Sequence, residues 1–245
     1  MKKIFFLVIF LTAGFFVKTN GQTVTAIVSN KGVAPIPAFG IENPAVLVFF
    51  STKLGEKGLL EHLEFSPDIA FNSGSKLWFT DLWVKYNYWS KKDTLKKTVY
   101  TVGLDFPSLF GQTYTLPTGE VIDQTVVYYT IQGKIKRLVN KNLSFILDYW
   151  YLRATDMKYG VAGSYISTSA VWDKDINKNL SFTGNPNIFY LGYTDGTKGF
   201  VGSFGFTVTH KKSGLFLGAL GLTPITSKQV KSNWNVSLGI SRKLF

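Results

Sequence analysis

From Ala45 to the last residue, apolar and polar side chains alternate with a period of two in about eleven short segments separated by compact turns. Between Gln124 and Arg137 the even positions Gln124, Tyr128, Thr130, Gln132, Lys134 and Lys136 are mostly polar, while Val127, Tyr129, Ile131 and Ile135 are apolar. Leu143, Phe145, Leu147, Tyr149 and Tyr151 are opposed by Ser144 and Asp148. Tyr100, Val102, Leu104 and Phe106 alternate with Thr101, Gly103 and Asp105, and Leu82, Val84, Tyr86 and Tyr88 with Asp81, Lys85 and Asn87. In the closing segment Trp234, Val236, Leu238 and Ile240 alternate with Asn233, Asn235, Ser237, Gly239 and Ser241. Side chains of a strand point alternately to its two faces, so each segment reads as a strand with one greasy and one polar face.

Four further segments, 159–171, 187–194, 199–210 and 214–223, are strand-like but Gly-rich, and 45–50 is apolar on both faces. Leu63, Phe65 and Ile69 alternate with His62, Glu64, Ser66 and Asp68, and Pro67 should interrupt the ladder or mark a bulge. Turn chemistry between them (Asn72-Ser73-Gly74, Thr118-Gly119, Asp195-Gly196, Lys212-Ser213-Gly214) is that of hairpins. The phrase Asn140-Lys141-Asn142-Leu143-Ser144-Phe145 recurs as Asn177-Lys178-Asn179-Leu180-Ser181-Phe182. The offset is close to two strand-plus-turn units, which places both copies at one rim. If the chain ends in the periplasm they lie there, and 110–120 and 224–232 lie on the outer side.

A sheet greasy outside and polar inside predicts an all-β fold, a transmembrane antiparallel up-and-down β-barrel. Bacterial single-chain barrels have even strand numbers. Thr23 to Ser29 supplies a twelfth strand; ten is the alternative, if the chain before about residue 55 crosses the lumen, with 22–44 a lumenal or periplasmic N-terminal segment.

Composition sharpens the address. Lys2 and Lys3, the apolar run Ile4 to Val17, and the small residues of Thr19-Asn20-Gly21 predict a signal peptide over 1–21, leaving a single barrel domain over 22–245. The apolar run is short of the roughly 20 residues of a spanning helix. With no cysteine there is no lipid-anchor thiol, disulfide framework or thiolate chemistry. The formal charge is +12; removing Lys2, Lys3 and Lys18 leaves 24 basic against 15 acidic residues, clustered between strands. Export makes nucleic acid a poor partner, and solvated turns beside anionic head groups the better reading. Trp78, Tyr88, Trp89, Trp172, Tyr193 and Trp234 fall towards strand ends, where aromatic girdles form.

By this pattern the mature chain resembles the Gram-negative outer-membrane β-barrel superfamily. Its most local element, Trp234 to Phe245, looks like the C-terminal signal recognised by barrel-insertion machinery, although Phe245 is in phase with Lys243 and Ser241; a bulge at Arg242-Lys243, or recognition through Leu244, would reconcile this. The phrases Pro35-Ile36-Pro37-Ala38-Phe39 and Trp234-Asn235-Val236-Ser237-Leu238 look like an uncharacterised family of such barrels. The resemblance implies the outer membrane as location, its lipids including lipopolysaccharide and the insertion machinery as partners, and a protein partner of unknown identity.

A barrel of ten or twelve strands has a small interior. Its lumen-facing candidates are Asp81, Lys85, Asp105, Gln124, Tyr128, Lys134, Lys136 and Asp148, with Trp150 in the same phase and Asp148 a diagonal step from Lys134. Such a lumen is at most a narrow, gated or closed pore for ions and small solutes, or the barrel is a scaffold whose loops bind a partner. The second reading is a lipid-acting hydrolase, since such barrels include acyl hydrolases and proteases that use a histidine. His62, Glu64 and Ser66 share a strand face, but His62 and Ser66 are roughly 13 Å apart at Cα along a strand, too far for a direct relay. The third is a secreted soluble binder, with the apolar rows inside. No cofactor or metal motif is present: Gly199 to Gly205 lacks the strand-loop-helix context of nucleotide sites, and carboxylates are scattered singly apart from Asp173 and Asp175.

Overall fold

The computed structural model describes residues 22–30, 44–72, 74, 76–90, 92, 93, 95–115, 121–158, 160–228 and 230–243, without the side chains of 112–115, 121, 122 and 124. The signal segment 1–21, the phrase 35–39, and Leu244 and Phe245 lie outside the described residues. The strands are β1 (Thr23–Ser29), β2 (Ala45–Lys53), β3 (Leu63–Asn72), β4 (Leu77–Tyr88), β5 (Thr98–Asp105), β6 (Ser108–Thr115) and β7 (Val121–Asn140). They continue with β8 (Leu143–Ala154), β9 (Ala162–Asp175), β10 (Leu180–Tyr193), β11 (Lys198–His210), β12 (Leu215–Pro224) and β13 (Asn233–Lys243).

All pairings are antiparallel and join neighbours in sequence, except that β5 and β6 each pair with β4 and β7 instead of with one another, and that β1 also pairs with β13, Thr23 opposite Lys243 and Ser29 opposite Ser237. That seam closes the sheet. The strands β5 and β6 both lie between β4 and β7 and form one stave, so the wall is a closed twelve-strand barrel. Pro107 explains the break, because proline has no N–H for the ladder; its carbonyl still accepts from Tyr128 N at 2.8 Å. The expectation that 110–120 is all connection is therefore corrected: the strand runs on to Thr115. Twelve staves, with Thr23–Ser29 in the wall, replace the ten-strand alternative. Pro67 acts as its chemistry requires: β3 is continuous, but the β2–β3 register pairs skip Phe50–Pro67.

Alternation dictates which face looks out. Val102, Leu104, Val127, Ile131, Phe145, Leu147, Phe204 and Leu238 are exposed, in rows that run round the wall. Exposed apolar rows on a closed sheet are the mark of a wall that faces hydrocarbon, and they reverse the arrangement of a soluble binder. No described helix is long and apolar enough to cross a membrane.

The repeated phrase builds the same turn twice. Asn140 Oδ1 accepts from Asn142 N at 2.9 Å, and Asn177 Oδ1 from Asn179 N at 2.8 Å, side chains that mimic a backbone turn. Both turns lie at the rim that carries Thr23 and Lys243, called here the chain-end rim. The β1–β2, β8–β9, β10–β11 and β12–β13 connections lie at the distal rim. At the chain-end rim the β4–β5 connection is held by Asp93, whose carboxylate accepts from the Lys97 and Thr98 amides, Thr98 at 2.9 Å. These bonds hold its pKa below the usual carboxylate range; the tether is present at neutral pH and is lost as pH falls through that lowered value.

Candidate functional site in the barrel interior

The inward rows change character along the barrel. On the distal side they present Ile27 (β1), Leu47 (β2), Ala70 (β3), Phe79 (β4), Leu109 (β6) and Tyr128 (β7). The layer continues with Leu152 (β8), Tyr165 (β9), Leu191 (β10), Val201 (β11) and Leu222 (β12). These side chains form one packed cluster, in which Leu152, Leu191 and Val201 are 0% exposed. A water-filled channel would leave part of this lining accessible, so the described interior is filled here. This corrects the expectation of a polar lumen along its whole length. Trp78 and Tyr193, expected in an aromatic girdle, are buried in the same cluster, whereas Tyr88, Trp172 and Trp234 are exposed at strand ends.

On the chain-end side the same rows turn polar and form a vestibule. Asp81 and Asp105 are buried; Asp81 accepts from Trp83 Nε1 at 2.9 Å, and Asp105 stands opposite Trp83. Asp68 is the direct cross-strand neighbour of Asp81. Lys134 and Asp148 are direct partners in the β7–β8 register, one step closer than the expected diagonal, and both Asp148 oxygens accept from Gln132 Nε2 at 3.0 Å. Lys136 lies nearer the rim in the same row and is exposed. Tyr128 belongs to the apolar layer, and the side chain of Gln124 is outside the described set.

Glu64 organises one wall. It accepts from Ser51 Oγ at 3.2 Å, Ser66 Oγ at 3.1 Å and Asn87 Nδ2 at 3.4 Å, and Lys85 Nζ lies 3.9 Å away. Lys85 also sits 4.9 Å over the Trp83 ring, which meets Trp150 edge-on at 5.0 Å. Thr25, Ser51, Glu64, Ser66, Asp68 and Lys85 line an open cleft of about 210 Å³. These residues come from the consecutive staves β1 to β4, whose curvature turns their inward rows towards one another.

The catalytic candidates part company. Ser66 donates to Glu64, but the His62 ring bonds the Asn87 carbonyl oxygen at 2.7 Å and packs against Trp89 at 4.3 Å. A carbonyl only accepts, so Nδ1 carries the proton; His62 ends the 3-10 turn 58–62 ahead of β3, and the hydroxyl of Ser66 is held by Glu64, not by this ring. A His62→Ala variant is expected to leave the barrel folded and to lower its stability by about 1 kcal/mol, the ordinary value of one hydrogen bond, as read by urea titration. Among the described residues no group of three or more His, Cys, Asp or Glu is placed to hold a metal ion.

No family model matches the chain, and no curated protein is similar to it at a significant level. Solved structures do match. The KdgM porin, solved in complex with disordered oligogalacturonate, superposes with a TM-score of 0.57 at 9% identity, covering 91% of this chain and 99% of that one. The chain shares the closed β-barrel fold of that porin. An outer membrane channel from Pseudomonas putida F1 gives a TM-score of 0.56 at 9% identity, over 92% of this chain and 96% of that one. The NanC porin gives 0.53 at 13% identity, over 90% and 100%. At these identities the likeness is one of fold alone.

Proposed function

We propose that this protein is a non-enzymatic outer-membrane barrel that works as a gated, narrow passage for ions and small solutes, closed in the conformation described. One observation carries the reading: a polar, charged vestibule ends on an apolar layer to which eleven of the twelve staves contribute. A wall with no task inside would be filled most cheaply by apolar side chains, because buried charges are costly unless paired. Here the inward rows instead hold Glu64, Asp68, Asp81, Asp105 and Asp148, with Lys85 and Lys134 between them. Thr130 Oγ1, Gln132 Oε1 and Asn187 Oδ1 are buried without a protein partner, acceptors available to water or a hydrated solute.

The excess of carboxylates favours small cations over anions. An oligogalacturonate, itself a chain of carboxylates, is a poor match for this vestibule, and the fold shared with KdgM does not bring that ligand with it.

Planar-bilayer recording tests the reading. Wild-type barrels are expected to be silent or to open rarely, whereas Leu152→Ala with Leu191→Ala, which removes apolar bulk from the two staves that flank β9, should conduct with a preference for cations. A steadily open wild-type pore would refute closure by the apolar layer. Silence of both proteins would refute the passage and leave a scaffold whose loops bind a partner.

A further inference from the structure

The two rims differ in charge, and the difference follows the outward rows. At the chain-end rim the apolar row of β7 runs through Ile131 and Ile135 into Arg137, that of β9 through Trp172 into Lys174, and that of β13 through Leu238 and Ile240 into Arg242. All three cations are exposed, and by phase they lie on the face that meets hydrocarbon, at its border. Arg137 Nη1 donates to Thr98 Oγ1 at 3.2 Å and Arg242 Nε to the Ser213 carbonyl at 3.3 Å, which holds both against the outer wall. Beside them Lys96 lies 3.8 Å over the Trp89 ring.

The connections at this rim add to the same charge: Lys57 after β2, Lys92 and Lys97 after β4, Lys141 after β7, Lys178 after β9, and Lys211 with Lys212 after β11. The described acidic residues there, Glu56, Glu61, Asp93, Asp173 and Asp175, are fewer, and two are already engaged, Glu61 with Lys96 at 3.6 Å and Asp175 with Lys211 at 2.7 Å. At the distal rim two described cations end apolar outward rows, Arg153 of β8 after Tyr149 and Tyr151 and Lys198 of β11 beside Phe200, and Lys76, Lys158, Lys228 and Lys231 stand there against Asp123, Asp156 and Asp195, a smaller cationic excess than at the chain-end rim.

We infer that the chain-end rim is a cationic collar that binds the phosphates of anionic phospholipids in the surrounding leaflet. The cations encircle the barrel instead of gathering on one side, which suits a flat leaflet on every side better than a protein docked at one place. Their position just past the apolar band puts them at head-group depth, where long basic side chains reach the interface and each contributes attraction to an anionic surface. Phospholipid is chosen over lipid A on the orientation in which this rim, which carries Thr23 and Lys243, faces the periplasm. The inference thus rests on the membrane-spanning reading and on that orientation.

The test uses the full barrel folded into vesicles, with Trp234→Phe to silence the exposed tryptophan nearest the distal rim, and reads quenching of the remaining tryptophans by brominated lipids. Brominated phosphatidylglycerol is expected to quench more than brominated phosphatidylcholine, with a relative affinity of about threefold or more. That preference should fall towards unity in 1 M salt and in the triple variant Arg137→Gln, Lys174→Gln, Arg242→Gln, and persist in Arg153→Gln. Equal quenching by the two lipids, or an equal loss in Arg153→Gln, overturns the collar. Stronger displacement of phosphatidylglycerol by lipid A than by added phosphatidylglycerol overturns the choice of phospholipid. Absence of quenching by either lipid would instead strike at the membrane-spanning reading itself.

Discussion

Ile131→Arg is expected to destabilise the folded barrel by about 2–4 kcal/mol, a loss of roughly 30- to 700-fold in the folding constant. Ile131 is 46% exposed and stands midway along β7, the longest strand, in the row that also carries Val127 and Ile135. A guanidinium there enters the hydrocarbon core, where no described partner on the outer surface of β5 or β8 can receive it: the outward neighbours are Leu104 and Tyr151. Val139→Arg supplies the comparison. Val139 is 54% exposed in the same row but lies beside Arg137 at the rim, where the depth-dependent cost falls to about 0–1 kcal/mol. Urea titrations in phospholipid vesicles, followed by heat-modifiable gel mobility, separate the two. If both variants cost the same, the exposed rows do not face lipid.

Removal of β1, residues 22–29, should abolish the closed barrel altogether, so that boiled and unboiled samples run identically in a detergent gel. Seven register pairs join β1 to β13, and seven more join it to β2. The seam is reinforced by side chains: Ser29 and Asn235 exchange hydrogen bonds of 2.9 and 2.6 Å, and Thr25 Oγ1 donates to Ser241 Oγ at 2.8 Å. Without β1, two sheet edges stand in hydrocarbon with unpaired backbone groups, each of which costs several kcal/mol. A point variant probes the same joint. A Cβ added at Gly239 meets the Ala26 carbonyl oxygen at 2.6 Å, so Gly239→Val forces β1 and β13 apart and should lower stability steeply. A truncated protein that still shifts on heating would mean that β2 and β13 can close the wall, and would revive the ten-strand count.

The outer surface was readable residue by residue because lipid contact demands an uninterrupted apolar row, and a period of two cannot supply one by accident over β5, β7, β8 and β13. The repeated Asn-Lys-Asn turn gave parity for the same reason: its side-chain hydrogen bonds are local. The interior was harder. Along β10 both faces are apolar near the distal end, as in Phe189-Tyr190-Leu191, and along β12 the inward Leu220 and Leu222 follow the outward Leu215 and Leu217, and apolar residues on both faces conceal which set packs inside. The restriction of the two-faced stretch in β10 to one end of that strand was the available signal for an internal layer. The division of one stave by Phe106-Pro107 was missed because the turn-like proline outweighed the strand pattern beyond it. The meeting of Thr25 with Glu64, Asp68 and Lys85 had no local signature, since it depends on the register between β1, β2, β3 and β4.

The seam also sets an order of events in assembly. Every other pairing joins strands that follow one another along the chain, or nearly so, and can form as those segments emerge; Thr23 opposite Lys243 must wait for the whole polypeptide. Contacts of such sequence separation carry the greatest loop entropy and form slowly. The last species before completion is thus a curled sheet with two sticky margins, prone to add a stray strand unless a companion protein shields them.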